Sequence, residues 1–157
     1  MAKKFDSTER FLIGDPRFDN IILSKFINNI MHGGKKSVAE KVVYGALEII
    51  GKRVKDAEPI EVFNTAVENV KPMLEVRSRR VGGATYQVPV EVTRKRQLSL
   101  AIRWILVAVR GRKGKPMSQK LADELIDAYN KQGSSMTVRD NTHRMAEANK
   151  AFAHFAW

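Results

Sequence analysis

Val76–Val92, VRSRRVGGATYQVPVEV, decides how the rest of the chain is read. β-Branched and aromatic residues flank Gly82 and Gly83, the pattern of two antiparallel strands joined by a tight turn. With those glycines at the turn, Arg79 falls opposite Tyr86 and Arg77 opposite Val88, while Arg80 points to the other face. A strand packed on a core shows one clean apolar face, and this one does not. An isolated two-stranded ribbon is marginal in water, so something outside the hairpin must help to order it. Arginine clamps phosphates through two N–H groups and stacks on bases, and tyrosine offers a stacking surface. At about 3.3 Å per residue the arm reaches roughly 20 Å, far enough to enter a groove between RNA elements. The plainer alternative is a solvated hairpin whose arginines only guard an edge against aggregation. That alternative has no need of glycines that bring the backbone close to a partner.

Around the hairpin the periodicity is helical. Ile21–Met31 carries Leu23, Phe26, Ile27, Ile30 and Met31 at helical spacing, and HGG ends it. A second helix opens at Ser37, spaced with Glu40 as a capping box, and lines one face with Ala39, Val42, Val43, Ala46, Leu47 and Ile50. Pro59 starts a third at the position where its missing N–H costs nothing, and Pro72 stops it. From Arg94 to Arg110 the run QLSLAIRWILVAVR is apolar almost all round, which predicts the central, most buried helix, with Arg103 paired to a carboxylate inside the fold. GRKGKP is a basic flexible loop. Leu121, Ala122, Leu125, Ile126 and Tyr129 form a fifth helix. A sixth begins around Ser135 to Thr137, where Thr137 and Asp140 have the spacing of a second capping box. The expected fold is mainly α: a single domain of six helices with one protruding β-hairpin, residues 75–92, inserted between the third and fourth. Residues 1–18 read as an extended N-terminal arm and 150–157 as a C-terminal tail.

The chain of 157 residues is long enough to bury a core without staples. With no cysteine it has no disulfide, thiolate nucleophile or cysteine zinc site. Asp6, Glu9 and Arg10 interrupt the N-terminus before a signal-peptide core can form, and the longest purely apolar run, Trp104–Val109, is far too short to span a membrane. A cytosolic, soluble protein is expected. Its net charge of +11 and pI near 10.1 make a polyanion the default partner, because bound phosphates release condensed counterions. Lysines and arginines cluster at segment ends, which suits an irregular polyanion such as folded RNA better than a flat membrane surface. GGKKS is similar to a phosphate-binding loop but has Lys36 where that motif needs Ser or Thr, and Asn29 where it needs glycine. His32, His143 and His154 lack metal-ligand spacing. No cofactor and no homo-oligomer are expected. A helix-turn-helix DNA-binding regulator and an RNA-modifying enzyme are the rival classes; the first predicts preference for duplex DNA, and the second needs a cofactor site that the sequence does not display.

LEVRSRRVGGATYQVPVEV, FINNIMHGGKKSVAEKVVYGAL and HRMAEANKAFAHFAW, in that order, closely resemble the bacterial form of small-subunit ribosomal protein seven. The resemblance runs from about Asp15 to Trp157. It implies a helical domain with a protruding hairpin that binds small-subunit ribosomal RNA directly, organises assembly of the subunit head, and lies near the exit-site tRNA and the mRNA path beside head and platform proteins. It further implies rRNA contacts from Lys35 and Lys36 after the first helix and from Arg77, Arg79 and Arg80 in the hairpin; Lys3, Lys4 and Arg10 in the arm, which precede the resemblance, are expected on rRNA as well. Arg94, Lys95 and Arg96 at the fourth helix and Arg112, Lys113 and Lys115 in the loop after it complete that set. Gly82, Gly83 and Tyr86, with His143, Arg144 and Lys150 of the last helix, are implied near tRNA or mRNA. The chain departs from its relatives at Ser134, Ser135 and Met136, where a lysine-rich run is common, and at Ala156, where an arginine often precedes the final tryptophan. The aromatic tail, Phe152, Phe155 and Trp157, is expected to pack on the body or on a neighbouring protein.

Overall fold

The computed structural model describes residues 8–156. Six α-helices and one hairpin follow in the order α1 (Ile21–Ile30), α2 (Lys36–Arg53), α3 (Pro59–Val70), β1 (Leu74–Val81), β2 (Ala84–Glu91), α4 (Arg94–Gly111), α5 (Met117–Tyr129) and α6 (Ser134–Ala148). Short 3-10 segments flank them at Thr8–Phe11 and Lys150–Phe155. Thus the hairpin stands between the third and fourth helices, as its sequence position requires. The N-terminal arm is not uniformly extended, because it holds the first 3-10 segment and a turn at residues 16–18.

That turn is organised by Asp15, only 4% exposed. Its carboxylate accepts the backbone N–H groups of Arg17, Phe18 and Asn20 and the hydroxyl of Tyr44. Burial alone would raise its pKa, but these four donors bring it below the ordinary carboxylate value. Asn20 then caps α1: its side chain accepts from Leu23 N at 3.0 Å and donates to Asn64 Oδ1 of α3 at 3.0 Å.

Neither capping box forms. The chain turns into α2 one residue early, through backbone bonds from Lys35 N to His32 O and from Lys36 N to Gly34 O, so Ser37 already lies inside the helix. At α6 the cap position is Gly133, at φ +94°, and Thr137 donates its hydroxyl back to Gly133 O at 3.0 Å. A Cβ at Gly133 would meet Asp127 Cβ at 2.9 Å and Glu124 Oε1 at 3.0 Å, so the close α5–α6 approach requires glycine.

Phe26 of α1 meets Phe63 of α3 edge-on at 5.4 Å, and both are fully buried in a core drawn from all six helices. The central helix is α5, which packs on α2, α3, α4 and α6. Its buried face includes Ala122 and Ala128, whose small side chains admit close neighbours. α4 is therefore not the most buried helix: Ser99, Arg103, Val107 and Arg110 are exposed, Val107 by 62%. The apolar run there overestimates burial because an exposed valine reads the same as a buried one.

Glu124, fully buried on α5, ties the C-terminal elements together. Oε2 accepts from Arg112 at 2.5 Å, and Oε1 accepts the N–H and hydroxyl of Ser135 at 2.9 and 2.6 Å. Replacing it by alanine leaves Arg112 with only its Asp127 partner and strands two Ser135 donors, and is expected to destabilise the protein by about 3 kcal/mol in urea unfolding.

Candidate nucleic-acid interface

β1 and β2 pair antiparallel with Arg77 opposite Val88 and Arg79 opposite Tyr86, the register that the glycine turn dictates. Gly82 and Gly83 take φ values of +58° and +84°, as a two-residue hairpin turn demands. Nothing lies within 4 Å of where their Cβ atoms would be, so the tip projects into open space.

The base does not. Val88 is fully buried, and Glu75 is 7% exposed. Glu75 Oε1 accepts from Nε and Nη2 of Arg77 at 2.9 and 2.7 Å, and Oε2 lies 3.3–3.4 Å from the same atoms of Arg96 on α4. Met73 N donates to His143 Nε2 of α6 at 2.9 Å. Further out, Tyr86 is met by Phe152 at 5.2 Å and Phe155 at 5.1 Å from the C-terminal 3-10 segment. The aromatic tail therefore packs on the hairpin, as expected of packing on the body, and the face of Tyr86 nearest these rings is taken. Trp157 lies outside the described residues, as do Lys3 and Lys4.

The remaining predicted residues divide by what their charges meet. Arg112 is held by Glu124 and, at 2.7 Å, by Asp127, and Lys115 by Asp123 at 2.8 Å. Burial would raise the Asp123 pKa, but Lys115 and Arg53 bring it below the ordinary value. Lys95 pairs with Glu9 at 2.9 Å. Arg10 lies over the Phe11 ring at 4.9 Å. Arg144 reaches Asn141 Oδ1 at 3.5 Å. Arg79 is half-buried, whereas Lys35, Lys36, Arg80, Arg94, Lys113 and Lys150 are exposed on the surface.

One cationic feature escapes the sequence clusters. Lys95, Ser99, Arg103, Val107 and Arg110 recur at three- and four-residue spacing along the exposed side of α4. Arg103 makes no ion pair with a described carboxylate, contrary to the internal pairing expected of it. Together with Lys25 and Asn29 of α1, Arg103 and Arg110 line a polar groove of about 330 Å³. Arg110 also borders a cleft shared with His32 and Lys35, so the stripe runs from the hairpin base to the loop before α2. The signal for it was the four-residue spacing of polar positions inside an otherwise apolar run.

A helical domain with a cationic ribbon at one end of a cationic helix face, and no cluster of metal-ligating side chains among its described residues, is built to bind an extended polyanion. Residues 2–150 match the family described as ribosomal protein S7p/S5e. The small ribosomal subunit protein uS7 of Rhodopirellula baltica is 61% identical over 155 residues, 98% of this chain and 99% of its own. Its counterpart in Methylobacterium radiotolerans is 52% identical over the full length of both, and that of Thermotoga maritima 57% over 91% of this chain and 92% of its own. The chain belongs to this family of small-subunit ribosomal proteins, whose role is structural and not enzymatic. No described helix is long and apolar enough to cross a membrane.

Two outcomes follow from the anchoring of the ribbon. Burial, then the Arg139 guanidinium, hold His143 below the ordinary imidazole pKa against the opposing pull of Asp140. The unfolded chain therefore takes up the proton more readily, so stability is full above about pH 6.5 and falls as pH drops below it. Thermal unfolding between pH 7.5 and 5.5 should show that loss, and His143→Gln should remove part of it. Replacing Phe152 and Phe155 together by alanine should cost the outer strands roughly 1 kcal/mol of local stability, read as faster amide exchange from Thr85 to Gln87 with α3 and α5 unchanged.

Proposed function

We propose that this chain binds small-subunit ribosomal RNA directly as a primary organiser of the subunit head, with the hairpin and the exposed side of α4 as one continuous contact surface. The observation that carries this reading is the line of basic residues from Arg77 and Arg96 through Arg103 and Arg110 to Lys35, with Ser99 and Val107 between them on α4. At 1.5 Å per residue, α4 alone extends that line by about 21 Å, which matches a folded RNA junction better than a point ligand. Phosphate neutralisation supplies affinity, and the shape of the junction supplies specificity.

Arg79, Arg80, Lys36, Arg94 and Lys113 extend the same surface, with Lys3, Lys4 and Arg10 contributing from the arm. Arg112 and Lys115 act mainly through the loop they hold, since their charges are already paired. The open tip at Gly82 and Gly83, together with His143, Arg144 and Lys150 on α6 and the tail beside the base of the hairpin, is assigned to the vicinity of exit-site tRNA and mRNA. Exposed Met73 at the hairpin base and exposed Met145 on α6 suit neighbouring head and platform proteins.

The decisive measurement is binding to a small-subunit rRNA head fragment across a salt series. Two variants, Arg77→Ala/Arg79→Ala/Arg80→Ala and Arg103→Ala/Arg110→Ala, should each bind more weakly, with the salt slope shallower by about one to two units. Unchanged affinity and slope would remove the altered region from the surface. Stronger competition by duplex DNA than by folded RNA would favour a DNA-binding regulator instead.

A further inference from the structure

Glu75 is a carboxylate placed where a cationic surface has least use for one. It is buried beneath two arginines that come from different elements, Arg77 on β1 and Arg96 on α4. Arg77 keeps 53% of its side chain exposed and Arg96 keeps 41%, while that of Glu75 keeps 9%. Each guanidinium has five N–H donors and commits two of them to Glu75. Five minus two leaves three donors on each, on the Nη1 side of the group.

We infer that Glu75 is a positioning residue: it clamps Arg77 and Arg96 side by side so that their free edges form one fork for an RNA backbone phosphate at the junction of hairpin and α4. This rests on the rRNA-binding reading above. Two guanidiniums this close repel one another, and without a bridging anion the flexible side chains spread and lose rotamer order. The bridge orders both before any ligand arrives, which lowers the entropic penalty of binding. It also couples the pose of the ribbon to the helix that carries the rest of the basic line. A carboxylate acting instead as a surrogate phosphate would block binding until it was displaced, but it would then occupy the outer edges of the arginines. Here it lies under them.

Glu75→Gln separates the two ideas because it raises the net charge from +11 to +12. Charge counting alone predicts tighter binding to any RNA. Positioning predicts about tenfold weaker binding to the folded head fragment, with binding to poly(U) unchanged or slightly tighter. Equal or tighter binding of the head fragment by Glu75→Gln would overturn the inference. Arg96→Lys guards against a variant that folds poorly, since it preserves both the charge and the Arg77–Glu75 pair but removes the planar fork. It should lose several-fold affinity for the head fragment at an unchanged salt slope; wild-type affinity would overturn the inference too. If the wild-type chain itself showed no preference for the head fragment over poly(U), the rRNA-binding reading, and not the role of Glu75, would be at fault.

Discussion

A two-stranded ribbon cannot order itself in water, and the cationic end of this protein is shaped by how that problem is solved. Three contacts of different chemistry hold it. An ionic bridge from Glu75 joins the ribbon to α4, a backbone N–H at Met73 bonds His143 on α6, and aromatic rings from the tail cover Tyr86. Each sits near the base or flank and none at the tip. The outcome is a rigid root and an open end, so the turn glycines stay available to a partner while the strands below them keep a fixed register.

Charge is divided in a similar way. Part of the basic excess is structural: Arg112, Lys115 and Arg53 meet Glu124, Asp127 and Asp123, and Arg139 bonds Asp140 and the Asn69 carbonyl. The pairs to Glu124, Asp127 and Asp123 hold a loop and the end of α2 against α5, and the Arg139 contact ties α6 to the end of α3. Another part, including Lys35, Lys36, Arg80, Arg103 and Arg110, stands at the surface with no ion pair to a described carboxylate. Proximity in sequence does not separate the two groups. Arg112 and Lys113 are adjacent, yet one is held in the fold and the other reaches solvent.

α5 makes this division possible. Its Glu124 is a carboxylate inside a helical core, tolerable because three donors, one of them the Arg112 cation, meet its two oxygens. Gly133 lets α6 approach closely enough for Ser135 to supply two of those donors, and α6 in turn supplies His143 to the hairpin. The buried carboxylate and the exposed ribbon are thus mechanically linked through one helix.

Helix count, the place of the hairpin, its register and the start of α3 at Pro59 were all legible in the chain, because each depends on local backbone chemistry or on a period that repeats over many residues. The family likeness of the basic clusters could also be read there. What the sequence could not determine was which polar groups find each other across the fold. Ser37 and Thr137 have the spacing of caps but yield to backbone turns that start their helices early, Arg103 faces out where an apolar run suggested burial, and Glu75 bonds Arg96, twenty-one positions away. Such pairings arise from distances set by packing of whole helices, and the competition among several possible partners for one carboxylate is settled only when those helices have docked.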